Sequence, residues 1–439
     1  FARYFLKGYK AYRQNKRYAH SLSCSGIRKG GTHMKYFVVM VRHLLWLMVG
    51  CGFLMCDMTG NGFAKEIWEG KITYTKTPAG VAGPKLASDS FIAVALQPRV
   101  YGCRNKDDVT RNLVNACRLI DEAMYVAPME GEVKLIAFTE GSLQGMYDEY
   151  ADMDQTTYCR EVAITIPGPE INALAEKAKQ YKIYLVAQAK IVEPDLMPDR
   201  YFNQAFIISP DGEIILRHVK NAVTSIEGTT TPYDVWDVWS KKVGTDLEDF
   251  YPVVKTDIGN LAVAVCFETR FPETFRALTA MGAEIIIKMA NVATTTMDGM
   301  WEVINRATAY HNAAYVIATN FGPYYTYPGV DAPYTLAGGH SMIVDYKGNI
   351  VRQADHGNEG WVPGEINIKK LREYRGSAAF GVMLAQMRSG LWKQIYERWP
   401  EYPKNLFLDK TYPHAKDRRD LQREIAKKLF EAGIYTRAE

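Results

Sequence analysis

Cysteine is scarce in this chain, with seven in 439 residues, at positions 24, 51, 56, 103, 117, 159 and 266. No two stand at the Cys-x-x-Cys spacing of a zinc or dithiol site, so neither a metal site nor a cofactor is expected. Acid is missing altogether from residues 1–33, which carry eight Lys or Arg. With that segment set aside the formal charge of +4 becomes −4, of which about −5 falls on 65–439. A body of that sign offers no basic face, and no nucleic-acid partner is expected. Long apolar runs are also missing. The stretch 44–56 is apolar and uncharged but thirteen residues long, against the ~20 that a membrane-spanning helix needs. Met34, Lys35, Arg42 and His43 precede it, and small residues follow at Gly62 and Ala64, which is the layout of a secretory signal. The expectation is a basic upstream segment at 1–33, lying before a start at Met34, then a signal peptide or membrane anchor at 34–64. The protein is then exported, periplasmic or secreted, if the signal is used and cytoplasmic if it is not, with membrane contact only if the segment stays uncleaved.

What is present is a regular alternation. Apolar runs at 91–97, 134–138, 183–188, 261–265, 284–288 and 315–319 read as buried strands. Apolar residues at helical spacing fill 107–124, 170–180, 272–281 and 300–314. Two hairpins interrupt the pattern: 206–209 and 213–218 flank Pro210-Asp211-Gly212, and 341–352 turns at Tyr346-Lys347-Gly348-Asn349. Strict alternation would give one parallel sheet, whereas hairpins at intervals give mixed sheets. The expected fold is α/β, a four-layer α-β-β-α sandwich of mixed sheets over 65–375. Residues 376–439 form a C-terminal extension rich in Arg, Lys and aromatics, with a helix at 417–432 and expected oligomer contacts.

The stretch 261–273, "LAVAVCFETRFPE", delivers a cysteine from a strand of small apolar residues straight into charge. Cysteine after an apolar run is commonly an inert buried hydrophobe. The carboxyl edge of an α/β sheet, however, is where ligands bind. Two more strand ends offer different chemistry: Glu140 follows 134–138, and Lys220 follows "EIILRHV". A thiol with the ordinary pKa of about 8.5 is a weak nucleophile at neutral pH unless a base takes its proton or a cation steadies the thiolate. Glu140 can be that base and Lys220 that cation, and Lys220 can also hold an oxyanion.

"FTEGS", "HVK", "CFETRFPE" and "WEVINRATAYHN" together resemble the carbon–nitrogen hydrolase (nitrilase) superfamily, over about residues 91–375. The resemblance implies an α-β-β-α sandwich and a Glu-Lys-Cys triad with a second, supporting Glu. It makes Glu140 the general base, Lys220 the stabiliser of the tetrahedral intermediate and Cys266 the residue that forms a thioester. Glu227, in "SIEG", matches the supporting Glu, while a backbone N–H near Phe267 completes the oxyanion site and Asn291 borders the substrate pocket. Arg270 and Glu273 are implied to hold the turn after the nucleophile, with structural roles. A homo-oligomer, dimer or larger, is also implied, and neither metal nor organic cofactor.

The branch is read from departures. Phe267-Glu268 stands where nitrilases proper resemble one another in Trp-Glu, and Thr269 takes a slot where N-carbamoyl amino acid hydrolases usually place a second Arg. "SIEG", "AYHN" and "GGHS" look closest to the aliphatic amidases and formamidases, although "CFETRFPE" departs from that branch's Cys-Asp-Asp. The expected reaction is hydrolysis of a small amide to a carboxylic acid and ammonia or an amine. N-carbamoyl amide or nitrile hydrolysis is the alternative within the class, and an acyltransferase or a non-catalytic filament-forming scaffold the alternative outside it. The aromatic insert 229–239, "TTTPYDVWDVW", reads as a lid or an interface.

Overall fold

The apolar runs become strands because both of their faces are covered. β1 (Ser90–Gln97) is buried from its second residue to its last, and β9 (Ile285–Met289) and β10 (Tyr315–Thr319) are buried throughout. The computed structural model describes residues 83–438 except 294–295, 297, 331, 335–337, 378–379, 400 and 412–414. The expected signal segment and the basic residues before it lie outside the described residues.

The other strands are β2 (Val100–Tyr101), β3 (Val133–Ala137), β4 (Tyr184–Glu193), β5 (Met197–Ile208), β6 (Ile214–Val219), β7 (Val254–Thr256), β8 (Gly259–Val265), β11 (Tyr324–Tyr325), β12 (Met342–Val344), β13 (Ile350–Gln353) and β14 (Gly360–Asn367). One sheet has the order β14-β1-β3-β4-β5-β6, the other β13-β12-β10-β9-β8-β7, and β2 pairs with β11 apart from both. Each sheet is mixed, with β1, β3 and β4 parallel in the first and β8, β9 and β10 parallel in the second. Their inner faces meet in one core that joins Leu135 and Val186 to Val263, Val265, Ile287 and Ile317. Strand alternation sends Ala262, Ala264 and Ile286 to the opposite face, where Phe275 and Leu278 of helix Pro272–Ala280 cover them. Trp301 and Ala309 of helix Met300–Asn312 likewise cover Ala290, Val316 and Ala318. Helices Lys106–Val126 and Pro169–Tyr181 cover the first sheet. The expected four-layer sandwich is therefore what the chain forms.

Two strands exceed their sequence expectation for a physical reason. β4 runs on to Glu193 and β5 begins at Met197, because Gln188, Lys190, Asn203 and Gln204 break the apolar pattern yet are buried. β14 escapes notice because it contains Pro363, which suits an edge strand with no further partner. On β9, Lys288 is buried without a carboxylate: its Nζ donates to Asn305 Oδ1 at 2.7 Å and lies 4.7 Å from the Trp301 ring centre. Burial pulls its pKa down to about 7. Among the described residues no helix is long and apolar enough to cross a membrane.

The aromatic insert is core rather than lid. Val235 and Trp239 pack with Leu196, Phe202 and Val219 in a buried cluster, with Leu408 of the C-terminal extension against it.

Candidate active site

The carboxyl ends of β3, β6 and β8 converge, the first two from one sheet and the third from the other. Thr139 pins the sheets there, its hydroxyl donating to Ala290 O, while Thr319 Oγ1 donates to Phe138 O at 2.9 Å. Glu140 stands three residues beyond β3, Lys220 directly after β6 and Cys266 directly after β8.

Lys220 is wholly buried and divides its ammonium between two carboxylates, at 2.8 Å from Glu140 Oε1 and 2.6 Å from Glu227 Oε2. Burial works against its charge, but Glu140 and Glu227 outweigh burial, and its pKa is raised well above the ordinary lysine value. Glu140 Oε1 also accepts from Asn203 Nδ2 at 2.9 Å; Asn203 Oδ1 in turn accepts from Gln188 Nε2 at 2.7 Å, and Gln188 Oε1 from Gly141 N at 2.7 Å. The second oxygen of Glu227 accepts from Thr224 N at 2.8 Å. A loop carboxylate that could have faced water is thus buried and doubly bound. Gly141, in "TEGS", has φ +76°, left-handed backbone that favours glycine directly after Glu140.

Cys266 has φ +46°, left-handed backbone in a residue that is not glycine. Such a conformation costs on the order of 1–3 kcal/mol and collects at functional sites. Glu268 stabilises it. This unexposed carboxylate accepts from Val265 N at 2.8 Å and Asn221 N at 2.7 Å and meets His218 Nε2 at 2.8 Å, so the turn after the cysteine is tied to the residue after Lys220. The turn-holding role that the resemblance gave to Arg270 and Glu273 belongs here instead. Arg270 is exposed and lies over the Phe267 ring at 5.9 Å; Glu273 is exposed and accepts from Tyr396 OH at 2.8 Å. Arg270 ends the short helix that begins at the cysteine and Glu273 stands in the first turn of helix Pro272–Ala280, and among the described residues neither side chain bonds the turn.

The Cys266 thiol is pushed well above its ordinary pKa by burial and then by Glu140, with Glu227 adding; Lys220 and the backbone N–H of Asn291 oppose them. At rest it holds its proton and needs a base. Asn291 Nδ2 is buried without a hydrogen-bond partner among the described residues, 3.4 Å from where a Gly141 Cβ would be. Phe267 packs edge-on to Phe271 at 5.7 Å. Asp148 and Glu149 follow on helix Tyr147–Ala151, with Lys190 Nζ 2.5 Å from Asp148 Oδ1 and 3.4 Å from Glu149 Oε1. Tyr150 packs on Tyr324 at 5.3 Å and Tyr334 at 4.9 Å. No group of His, Cys, Asp and Glu among the described residues could hold a metal ion.

The structure brings together Glu140, Lys220, Glu227, Cys266 and Asn291, and it adds Gln188, Asn203 and Glu268. The signal for the first two was their polarity on otherwise apolar strands.

The sequence model of the carbon-nitrogen hydrolase family matches residues 93–376, and the chain belongs to that family. Among its relatives, the deaminated glutathione amidase of Synechocystis is 27% identical over 291 residues, 65% of this chain and 94% of the relative. The mouse omega-amidase NIT2 is 27% identical over 60% of this chain and 86% of its own length, and the Bacillus cereus formamidase 29% over 53% and 63%. The carbon-nitrogen hydrolase of Helicobacter pylori G27 shares the fold with a TM-score of 0.54 at 19% identity, over 70% of this chain and 98% of that one. Saccharomyces cerevisiae Nit3 does so with a TM-score of 0.51 at 22% identity, over 68% and 97%.

Proposed function

We propose that the chain hydrolyses a small linear amide bearing no carboxylate, through a thioester on Cys266. The observation that carries this is a buried lysine shared by two buried carboxylates beside a cysteine held in left-handed backbone at a strand end. Glu140 takes the thiol proton as sulfur attacks the amide carbon. Lys220 and a backbone N–H near Phe267 steady the oxyanion. The tetrahedral intermediate collapses, the proton passes from Glu140 to the departing nitrogen, and ammonia or an amine leaves. Water then attacks the thioester, giving its proton to Glu140, and the acid departs as sulfur is reprotonated.

Charge sets the substrate class. Four carboxylates, Glu140, Asp148, Glu149 and Glu227, surround two lysines, Lys190 and Lys220. Burial, with Glu227, Asp148 and Glu140 adding to it against Lys190, raises the pKa of Glu149 well above normal, and with Glu149 neutral three carboxylates still face two lysines. A further carboxylate on the substrate is repelled. Ammonia release from formamide, short aliphatic amides, carboxylate-bearing amides of equal size, carbamoyl amino acids and nitriles tests the reading. A neutral amide should exceed its carboxylate-bearing counterpart in kcat/KM by about tenfold or more, some 1.4 kcal/mol. Preference for the anionic amide, or turnover of nitriles alone, would sink it.

The protein self-associates, in the same proposal, through the apolar residues it leaves exposed. Trp392 and Ile395 of helix Ser389–Glu397 are exposed and line, with Met300, a groove of about 880 Å³. Contiguous exposed apolar surface of this kind marks association. Light scattering should show a dimer or larger that Trp392→Glu with Ile395→Glu reduces to a monomer; an unchanged mass removes this surface from consideration.

A further inference from the structure

The C-terminal extension closes on the chain's own body, beside the catalytic cluster. Arg418, on helix Ala415–Glu431, is 1% exposed; its Nη2 donates to Thr229 O at 3.2 Å and to Asp234 Oδ2 at 3.3 Å, and its guanidinium lies 5.2 Å from the Phe407 ring centre. Upstream in the same extension Asn405 N donates to Tyr233 O at 2.8 Å, Phe407 N to Asp234 O at 3.1 Å, and Phe407 O accepts from Arg200 Nη2 at 3.0 Å. The bonds from Arg418, Asn405 N and Phe407 N grip the segment 229–234, and the one from Arg200 ties the extension to β5. That segment begins two residues after Glu227.

Thr229 faces both ways. Its carbonyl receives Arg418, and its Oγ1 accepts from Asn203 N at 2.8 Å. Asn203 reaches the cluster by two routes, its Nδ2 donating to Glu140 at 2.9 Å and its carbonyl accepting from Lys220 N at 2.9 Å. Thr230 extends the grip, its N donating to Tyr201 O at 3.0 Å and its Oγ1 accepting from Gln155 Nε2 at 2.8 Å. Arg418 therefore stands two hydrogen-bonded residues from Glu140 and Lys220, and two chain positions from the loop that carries Glu227.

We infer that residues 401–411 and helix Ala415–Glu431 form an intramolecular strap in which Arg418 is a positioning residue, holding Thr229 and Asp234 so that Asn203 and Glu227 fix Glu140 and Lys220. The inference rests on the assignment of those residues as the catalytic cluster. A cluster of charged groups with two carboxylates on one ammonium tolerates little displacement, because productive geometry has to be kept within about 0.5 Å. The insert 229–239 then joins strap to site, which accounts for its buried Trp239.

The test uses the full chain with Arg418→Met, Arg418→Lys, Thr229→Val, the double variant Arg418→Met with Thr229→Val, and Arg372→Met. The last removes the Arg372–Glu284 pair, 2.7 Å long and outside the described path. The readouts are kcat and KM on the best amide and the rate at which iodoacetamide alkylates Cys266 at pH 7, followed by intact mass. Arg418→Met should lower kcat about tenfold with KM within about twofold, and slow alkylation in step. Arg418→Lys should recover most of both, Thr229→Val should match Arg418→Met, and the double variant should be no worse than either single, since residues on one path are not additive. Arg372→Met should leave both rates unchanged at equal folded fraction. Wild-type rates in folded Arg418→Met overturn the inference, as do fully additive losses. If Arg418→Met does not fold, wild-type rates in Thr229→Val overturn it. Alkylation needs no substrate, so silence across the amide panel counts against the proposed reaction while leaving this comparison decisive for the strap.

Discussion

Cys266→Ser is expected to lose at least about 10⁴-fold in kcat while melting within a few degrees of the parent, because the cysteine's cost to the fold and its value to the chemistry have different origins. The cost lies in the backbone: φ +46° is unfavourable for serine and alanine as much as for cysteine. The value lies in sulfur. Burial and Glu140 keep the thiol protonated, yet Glu140 and Lys220 stand ready to take its proton and steady the thiolate. A serine hydroxyl is several units less acidic still, so the same carboxylate cannot supply the nucleophile. Cys266→Gly separates the two terms further, since glycine adopts positive φ freely; it should be inactive and melt no lower than Cys266→Ala. Intact mass during turnover should show an acyl adduct in the parent and none in Cys266→Ala. Substantial activity in either variant would falsify the assignment of the nucleophile.

How much of this was legible in the sequence follows from which pattern each residue obeys. β8, β9 and β10 were readable because strands buried on both faces are nearly uninterrupted apolar runs. Glu140, Lys220 and Cys266 were readable because each ends such a run. Asn203 and Gln188 were not, since a polar residue inside a strand looks like a weakness in the strand until the carboxylate it serves is placed beside it. Glu268 was overlooked in favour of Arg270 and Glu273 because its partners, Val265 N and Asn221 N, are backbone groups 3 and 47 positions away that no motif records. The same holds for Arg418, whose partners Thr229 and Asp234 are 189 and 184 positions distant, so the extension read as a surface for other copies. Buried polar pairing between remote segments leaves little trace in periodicity.

Lys220→Met should damage chemistry and fold together, costing about 10³-fold or more in kcat and on the order of 3–5 kcal/mol in stability. The kinetic loss is that of an oxyanion donor; the stability loss arises because Glu140 and Glu227 stay buried with their shared cation gone. The pH dependence distinguishes this from a packing defect. In the parent, Lys220 has a raised pKa, so its contribution is complete below the ordinary lysine value and is lost only as pH climbs through the raised one. It gives no slope between pH 5 and 8. In the variant the two carboxylates stay buried without their cation, and burial disfavours the charged form, so acid favours folding. The deficit in Tm relative to the parent should therefore shrink as pH falls from 8 to 5. Adding Glu227→Gln should recover stability at pH 8, because it removes one of the two buried charges, yet should recover no activity, because the oxyanion donor is still missing. A deficit that is constant with pH, or a double variant less stable than Lys220→Met alone, would mean that the ammonium is not what keeps the two carboxylates charged in the interior.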